Sequence, residues 1–181
     1  MSPRAEPAPR PGRVLITESE LRARIDELGQ TIARDYAGQS PIVVGVLQGA
    51  FLFMADLVRA IPIDLTTDFI GVASYGAGTR PSGVVRLVTD LSVSIEGHHV
   101  LVVEDIVDTG LTLVYLRRTL EARHPRSLRV CVLLDKIDRR QADVTLDYVG
   151  FTIPNVYVVG YGFDHGGLYR NLRHIAALEG A

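Results

Sequence analysis

An intrachain disulfide is excluded, because the 181 residues include a single cysteine, Cys131. One thiol fits a reducing compartment. Cys131 lies in the apolar run "RVCVLL" and reads as a small buried hydrophobe rather than a nucleophile. Excess charge is also lacking. Nineteen Lys and Arg stand against 21 Asp and Glu, a formal net charge of -2, so no global basic field attracts nucleic acid or an anionic membrane. No uncharged apolar run approaches the roughly 18 residues of a bilayer-spanning helix. The longest candidate, "GAFLFMADLV", is cut by Asp56. The first residues, "MSPRAEPAPRPGR", hold four prolines and no apolar h-region, which is not the pattern of a secretory signal. Residues 1–13 are expected to be a disordered tail and 14–181 a single domain. The expected location is cytoplasmic.

What is present is a large apolar fraction, 47%, enough for a sizeable core. Thr17 and Glu20 form a T-x-x-E capping box, and Leu21, Ile25, Leu28 and Ile32 recur at helical spacing. A helix over Glu18 to Tyr36 follows. "PIVVGVL" is a buried-strand pattern, "QGA" breaks it, and "FLFMADLVRAI" continues as a helix. "IDLTTDFIGV" alternates as a strand, "SYGAGTRPSG" is a Gly/Ser/Pro loop, and "VVRLVTDL" is a strand paired across it. "HVLVVED" is a strand followed by a helix over Leu111 to Arg123. "LRVCVLLD", "VGF", "VYVVGYG" and "HIAAL" read as further strands, with a possible helical turn at "GLYRNL". Strands alternating with helices predict an α/β fold: a mostly parallel twisted sheet flanked by helices, with ligands beyond the strands' carboxyl ends.

One junction there is unusual. The apolar run Val100–Val103 leads directly into Glu104 and Asp105, with Asp108, Thr109, Gly110 and Thr112 next and a helix after them. A Gly-containing turn at a helix start presents unpaired N–H groups and a positive dipole end, and the threonine hydroxyls add donors. That is a cradle for a phosphate monoester. It is not a P-loop, because G-x-x-x-x-G-K-[ST] is absent. Glu104 and Asp105 would repel a phosphate, but carboxylates suit a vicinal diol or a Mg2+ held against one. They also suit positive charge developing on a sugar ring. Asp108 is placed either to cap the helix or to accept a proton. Acids at a strand end with Asp and Thr capping a helix also occur for stability alone.

The full run "VLVVEDIVDTGLT" resembles the 5-phosphoribosyl 1-pyrophosphate (PRPP) motif of the type I phosphoribosyltransferases. "LLDKIDRR" and "DYVGFTIPNVYVVGYGFDHGGLYRNLRHIAAL", with "GVLQGAFLFMADL" and "DFIGVASYG", are similar to the hypoxanthine-guanine branch of that family. The resemblance covers nearly everything after residue 13. It implies the type I fold, with a small hood formed by the terminal segments. It also implies transfer of phosphoribose from PRPP to N9 of hypoxanthine or guanine, releasing pyrophosphate, with Mg2+ as cofactor. Glu104 and Asp105 match the ribose-diol pair, partly through metal. Asp108 matches the residue that takes the proton from purine N7. Thr109, Gly110, Leu111 and Thr112 match the 5-phosphate loop. Some members carry lysine where Leu111 stands, which a cradle of backbone amides does not need.

Lys136 matches the donor to the exocyclic O6 of the base. An ammonium has donors only, so adenine's 6-amino group would leave it unpaired. Tyr157 matches the aromatic stacked on the purine, and Val158 the position whose backbone meets its Watson–Crick edge. Asp164 matches a ligand of a second Mg2+, and Arg170 a pyrophosphate contact. Arg140 would assist, and Arg139 less so. Gln48 and Gly49 match a pyrophosphate loop. Relatives often carry Lys or Arg at the position of Gln48, and the peptide before Gly49 can be cis. Ser74 and Tyr75 match the start of a lid loop. The histidines make no metal-ligand spacing, and His165 takes no role. Homodimers or homotetramers are implied, with no nucleic acid or membrane partner. Two alternatives stay open: a xanthine-preferring relative, and a PRPP-sensing RNA-binding regulator using Arg117, Arg118, Arg123, Arg126 and Arg129.

Overall fold

The structure is a computed structural model and describes residues 9–74 and 85–180. In chain order the elements are β1 (Arg10–Ile16), α1 (Glu18–Asp35), β2 (Ile42–Leu47), α2 (Phe51–Ala60), β3 (Thr66–Ser74) and β4 (Val85–Thr89). Then come β5 (His99–Val107), α3 (Leu111–Glu121), β6 (Ser127–Asp135), β7 (Tyr148–Thr152), β8 (Val158–Val159) and β9 (Ile175–Glu179). Six strands form the main sheet in the order β4-β3-β2-β5-β6-β7. All its neighbours are parallel except β3 and β4. A second sheet, β1-β9-β8, is antiparallel and joins the two ends of the chain.

The unbroken apolar run of β5 follows from burial on both faces. Leu101 and Val103 pack with Ile25, Leu28, Phe53 and Leu57 of α1 and α2, while Val100 and Val102 pack with Leu113, Leu116 and Leu120 of α3. Each fully buried side chain of this size contributes about 1.5–3 kcal/mol. The capping box forms: Glu20 N–H donates to Thr17 Oγ1 at 3.3 Å, and Thr17 N–H donates to Glu20 Oε2 at 2.8 Å. Such a cap is worth about 1 kcal/mol.

Several expectations need correction. Arg10–Arg13 are not tail but the start of β1, with Arg10 opposite Glu179 and Pro11 opposite Leu178. Pro11 is tolerated because β1 is an edge strand. β5 does not stop at the acids: its ladder with β6 continues to Ile106 opposite Leu134 and Val107 opposite Asp135. α1 and α3 end one and two residues earlier than expected, at Asp35 and Glu121. The "VYVVGYG" strand shrinks to Val158–Val159, because Gly160, Tyr161 and Gly162 have φ of 96°, 50° and 99°. "GLYRNL" forms turns, with Tyr169 at φ 76°, and no helix.

Candidate active site

Chain connectivity reverses beside β2. From β2 the chain moves outward to β3 and β4, then returns to the other side of β2 as β5 and continues to β6 and β7. A crevice opens where neighbouring strands lead away in opposite directions. Gln48 and Gly49 leave β2 there, Asp105 and Asp108 stand at the end of β5, and Lys136 follows β6. The peptide Leu47–Gln48 is cis, one bond before the position expected from the resemblance.

A cavity of about 290 Å3 at this point is lined by Gly49, Asp105, Ile106, Asp108, Lys136, Tyr157, Val158, Phe163, Asp164 and Arg170. A larger one, about 640 Å3, lies between α1, α2 and the 161–173 segment and shares Arg170. It contains none of Glu104, Asp105, Asp108 or Lys136, so chemistry rather than size selects the smaller cavity.

Two acids are held there against their charge. Glu104 is buried, and its Oε2 has no hydrogen-bond partner among the described residues. Burial, then repulsion from Asp105, hold its carboxyl well above the usual range. Burial likewise pushes Asp105 up to about 6, opposed by the Ile106 N–H that donates to Oδ1 at 2.8 Å and by the charge of Arg170. A buried Glu104 with an orphaned oxygen beside a half-buried Asp105 calls for a cation or hydroxyl donors. Close packing sets the walls. A Cβ on Gly49 would lie 1.7 Å from Asp105 Oδ2, and one on Gly162 would lie 2.3 Å from Gly49 O. Only glycine allows these approaches.

The glycine turn at a helix start forms. Gly110, at φ 84°, precedes α3, whose first N–H groups have no intrahelical acceptors. Gln141 and Ala142 N–H donate to Thr109 O at 3.0 and 3.1 Å, which ties the segment after Lys136 to this turn. Lys136 N–H donates to Val107 O at 3.0 Å, and its side chain is buried. Desolvation lowers its pKa, opposed by the charge of Asp108. Arg139 reaches the Asp108 carboxylate: its Nε donates to Oδ1 at 3.0 Å. Arg140 instead pairs with Asp135. Asp164 is engaged from within, with Arg170 Nη2 at 2.6 Å from Oδ1 and Gly167 N–H donating to Oδ2 at 2.7 Å.

The matched residues Gly49, Asp105, Asp108, Lys136, Tyr157, Val158, Asp164 and Arg170 therefore share one cavity. Glu104 precedes the lining residue Asp105 on β5, and Thr109–Thr112 lead from Asp108 into α3 without lining it. Ser74 ends β3, and Tyr75 lies outside the described residues. Sequence reasoning missed Ile106 and Phe163 as lining residues. Ile106, flanked by acids at a strand end, was the more legible of the two. Of the arginine series, three pair with acids: Arg117 with Glu121, Arg123 with Asp90 and Arg129 with Asp35. No group of three metal-ligating side chains occurs among the described residues.

Comparison with known proteins gives the same family. Residues 16–165 match the phosphoribosyl transferase domain. The hypoxanthine-guanine phosphoribosyltransferase of Mycobacterium avium is 51% identical over 172 residues, covering 92% of this chain and 85% of its own. That of Bacillus subtilis is 44% identical, covering 93% of this chain and 94% of its own. The crystal structure of a hypoxanthine phosphoribosyltransferase from Staphylococcus aureus superposes with a TM-score of 0.90 at 43% identity, covering 93% of this chain and 92% of that one. With this identity and the shared fold, the chain belongs to the hypoxanthine-guanine phosphoribosyltransferase family.

Proposed function

We propose that the protein is a purine salvage enzyme that transfers the 5-phosphoribosyl group of PRPP to N9 of hypoxanthine or guanine. The C1′–O bond to pyrophosphate breaks, the C1′–N9 bond forms, and IMP or GMP leaves. The observation that carries this reading is a single cavity lined by a buried lysine, an exposed aromatic, a proton acceptor and a guanidinium: Lys136, Tyr157, Asp108 and Arg170. Lys136 donates to O6 of the base and Tyr157 covers its face. Asp108 takes the N7 proton as N9 attacks, and Arg139 holds that carboxylate in place beforehand. The N–H groups at the start of α3 and the hydroxyls of Thr109 and Thr112 bind the 5-phosphate. Gln48 and Gly49 bind the pyrophosphate through their backbone, with Arg170 beside them.

The orphaned oxygen of Glu104 and the burdened carboxyl of Asp105 fit an oxygen-coordinated divalent cation. Mg2+ bound by these residues, with Asp164 at a second position, would neutralise phosphate charge on PRPP. The lid reading of Ser74 and Tyr75 belongs to the same proposal, as do homodimeric or homotetrameric assembly and a cytoplasmic location. No described helix is long and apolar enough to cross a membrane. The buried Cys131 thiol, its pKa pushed up by desolvation, is inert as a nucleophile.

The test is ultraviolet-monitored turnover with PRPP and Mg2+, with hypoxanthine, guanine, xanthine and adenine supplied separately. Turnover of the 6-oxopurines but not adenine, and its loss in Asp108→Asn, supports the assignment. Tight PRPP binding without turnover of any base refutes it.

A further inference from the structure

Tyr157 is 51% exposed, so the core does little to orient its ring. Two contacts do so instead. Its hydroxyl donates to Asp164 O at 3.1 Å. His165 meets the ring edge-on, with centroids 5.6 Å apart and an interplanar angle of 84°. Both partners belong to one tight hairpin. His165 N–H donates to Leu168 O at 3.2 Å and Leu168 N–H to His165 O at 3.1 Å. Gly166 and Gly167 form the turn, with φ of 59° and 84°. Positive φ at both central residues marks a type I′ turn, which glycine permits. Gly167 N–H and the Arg170 guanidinium both fasten to the Asp164 carboxylate at the hairpin's base. The half-buried imidazole is thus carried on a braced turn and held at a right angle to the exposed Tyr157 ring.

We propose that His165 is a positioning residue for purine binding: it holds the Tyr157 platform at its working angle. The inference rests on the reading of Tyr157 as the face that covers the base. An ordered ring spares the base the entropic cost of fixing it on binding. The contact needs a flat ring at position 165 and no proton, so phenylalanine should serve there. Because Asp164 and Arg170 sit on the same braced segment, the platform's angle is tied to the residues proposed for pyrophosphate and metal.

The experiment is steady-state kinetics of the full chain with Mg2+, varying hypoxanthine and PRPP separately. The proteins compared are wild type, His165→Ala, His165→Phe, Tyr157→Ala and the double alanine variant. An edge-to-face pair predicts that His165→Ala raises KM for hypoxanthine about threefold to tenfold. KM for PRPP and the thermal midpoint stay unchanged. His165→Phe restores the wild-type KM, and His165→Ala adds little once Tyr157 is already alanine. The proposal is overturned if His165→Ala leaves KM for hypoxanthine unchanged while Tyr157→Ala raises it. It is also overturned if PRPP affinity and thermal midpoint fall together without rescue by phenylalanine, which is the signature of a purely structural residue. If Tyr157→Ala itself has no effect on KM for the base, the platform reading fails and the inference fails with it.

Discussion

Replacing Asp105 by asparagine should stabilise the metal-free protein at neutral pH and do nothing near pH 4. The carboxyl packs against Gly49 with Glu104 behind it and Asp164 across the cavity, and burial raises it from 3.8 to about 6. For an acid whose folded pKa is raised, the native state holds the proton more tightly than the unfolded chain does. No penalty exists below the unfolded pKa, and stability is lost as pH climbs towards about 6, above which the penalty is complete. Moving one carboxyl that far corresponds to roughly 3 kcal/mol, and its partial exposure screens this to about 1–2 kcal/mol. The asparagine variant carries no such penalty, and its oxygen can still accept from Ile106 N–H. For a chain of this size the expected gain in thermal midpoint is about 3–6 °C at pH 7.5. Scanning calorimetry in chelator, at pH 4.0 and 7.5, measures it. A gap of equal size at both values, or a less stable variant at pH 7.5, would refute the reasoning. Turnover should fall in the same variant, because the removed charge is the one that suits a cation or diol.

Three further outcomes follow from contacts elsewhere. Gly49→Ala should raise KM for PRPP about tenfold or more while shifting the thermal midpoint little, since its Cβ collides with the movable carboxyl of Asp105 rather than with backbone. Lys136→Gln should narrow the preference for hypoxanthine over adenine, which a donor-only lysine can set at about four orders of magnitude; competing-base assays read the ratio. Asp68→Ala should cost about 2 kcal/mol in urea unfolding without altering either KM. The buried Asp68 carboxylate accepts from Phe69, Ser92 and Val93 N–H at 2.8, 2.8 and 3.1 Å, and none of these residues lines the cavity.

Local patterns carried much of this site. "VLVVEDIVDTGLT" shows a doubly buried strand, acids and a helix-starting glycine turn within one stretch of chain, so its parts could be read without tertiary knowledge. The Thr17 cap was legible for the same reason: donor and acceptor are three residues apart. β1 was not legible. Its prolines and arginines look like a tail until β9 supplies a partner 160-odd residues later, with Arg10 opposite Glu179. The "GLYRNL" turns were missed because the local pattern does not reveal that Tyr169 takes a positive φ. The pairing of Arg139 with Asp108 was not legible, because sequence spacing cannot show which guanidinium a turn directs at that carboxylate.

The sequence by itself determined which segments are strands and helices across most of the chain, and which residue types stand at the strand ends, because those depend on period, capping and composition over a few neighbours. Only the tertiary structure decided that Gly49 presses on Asp105, that Gly162 presses on Gly49, and that the rings of Tyr157 and His165 meet at a right angle. These are approaches between backbone and side chains distant in sequence or on separate turns. Their distances are set by how the sheets and loops pack, and no local propensity encodes them.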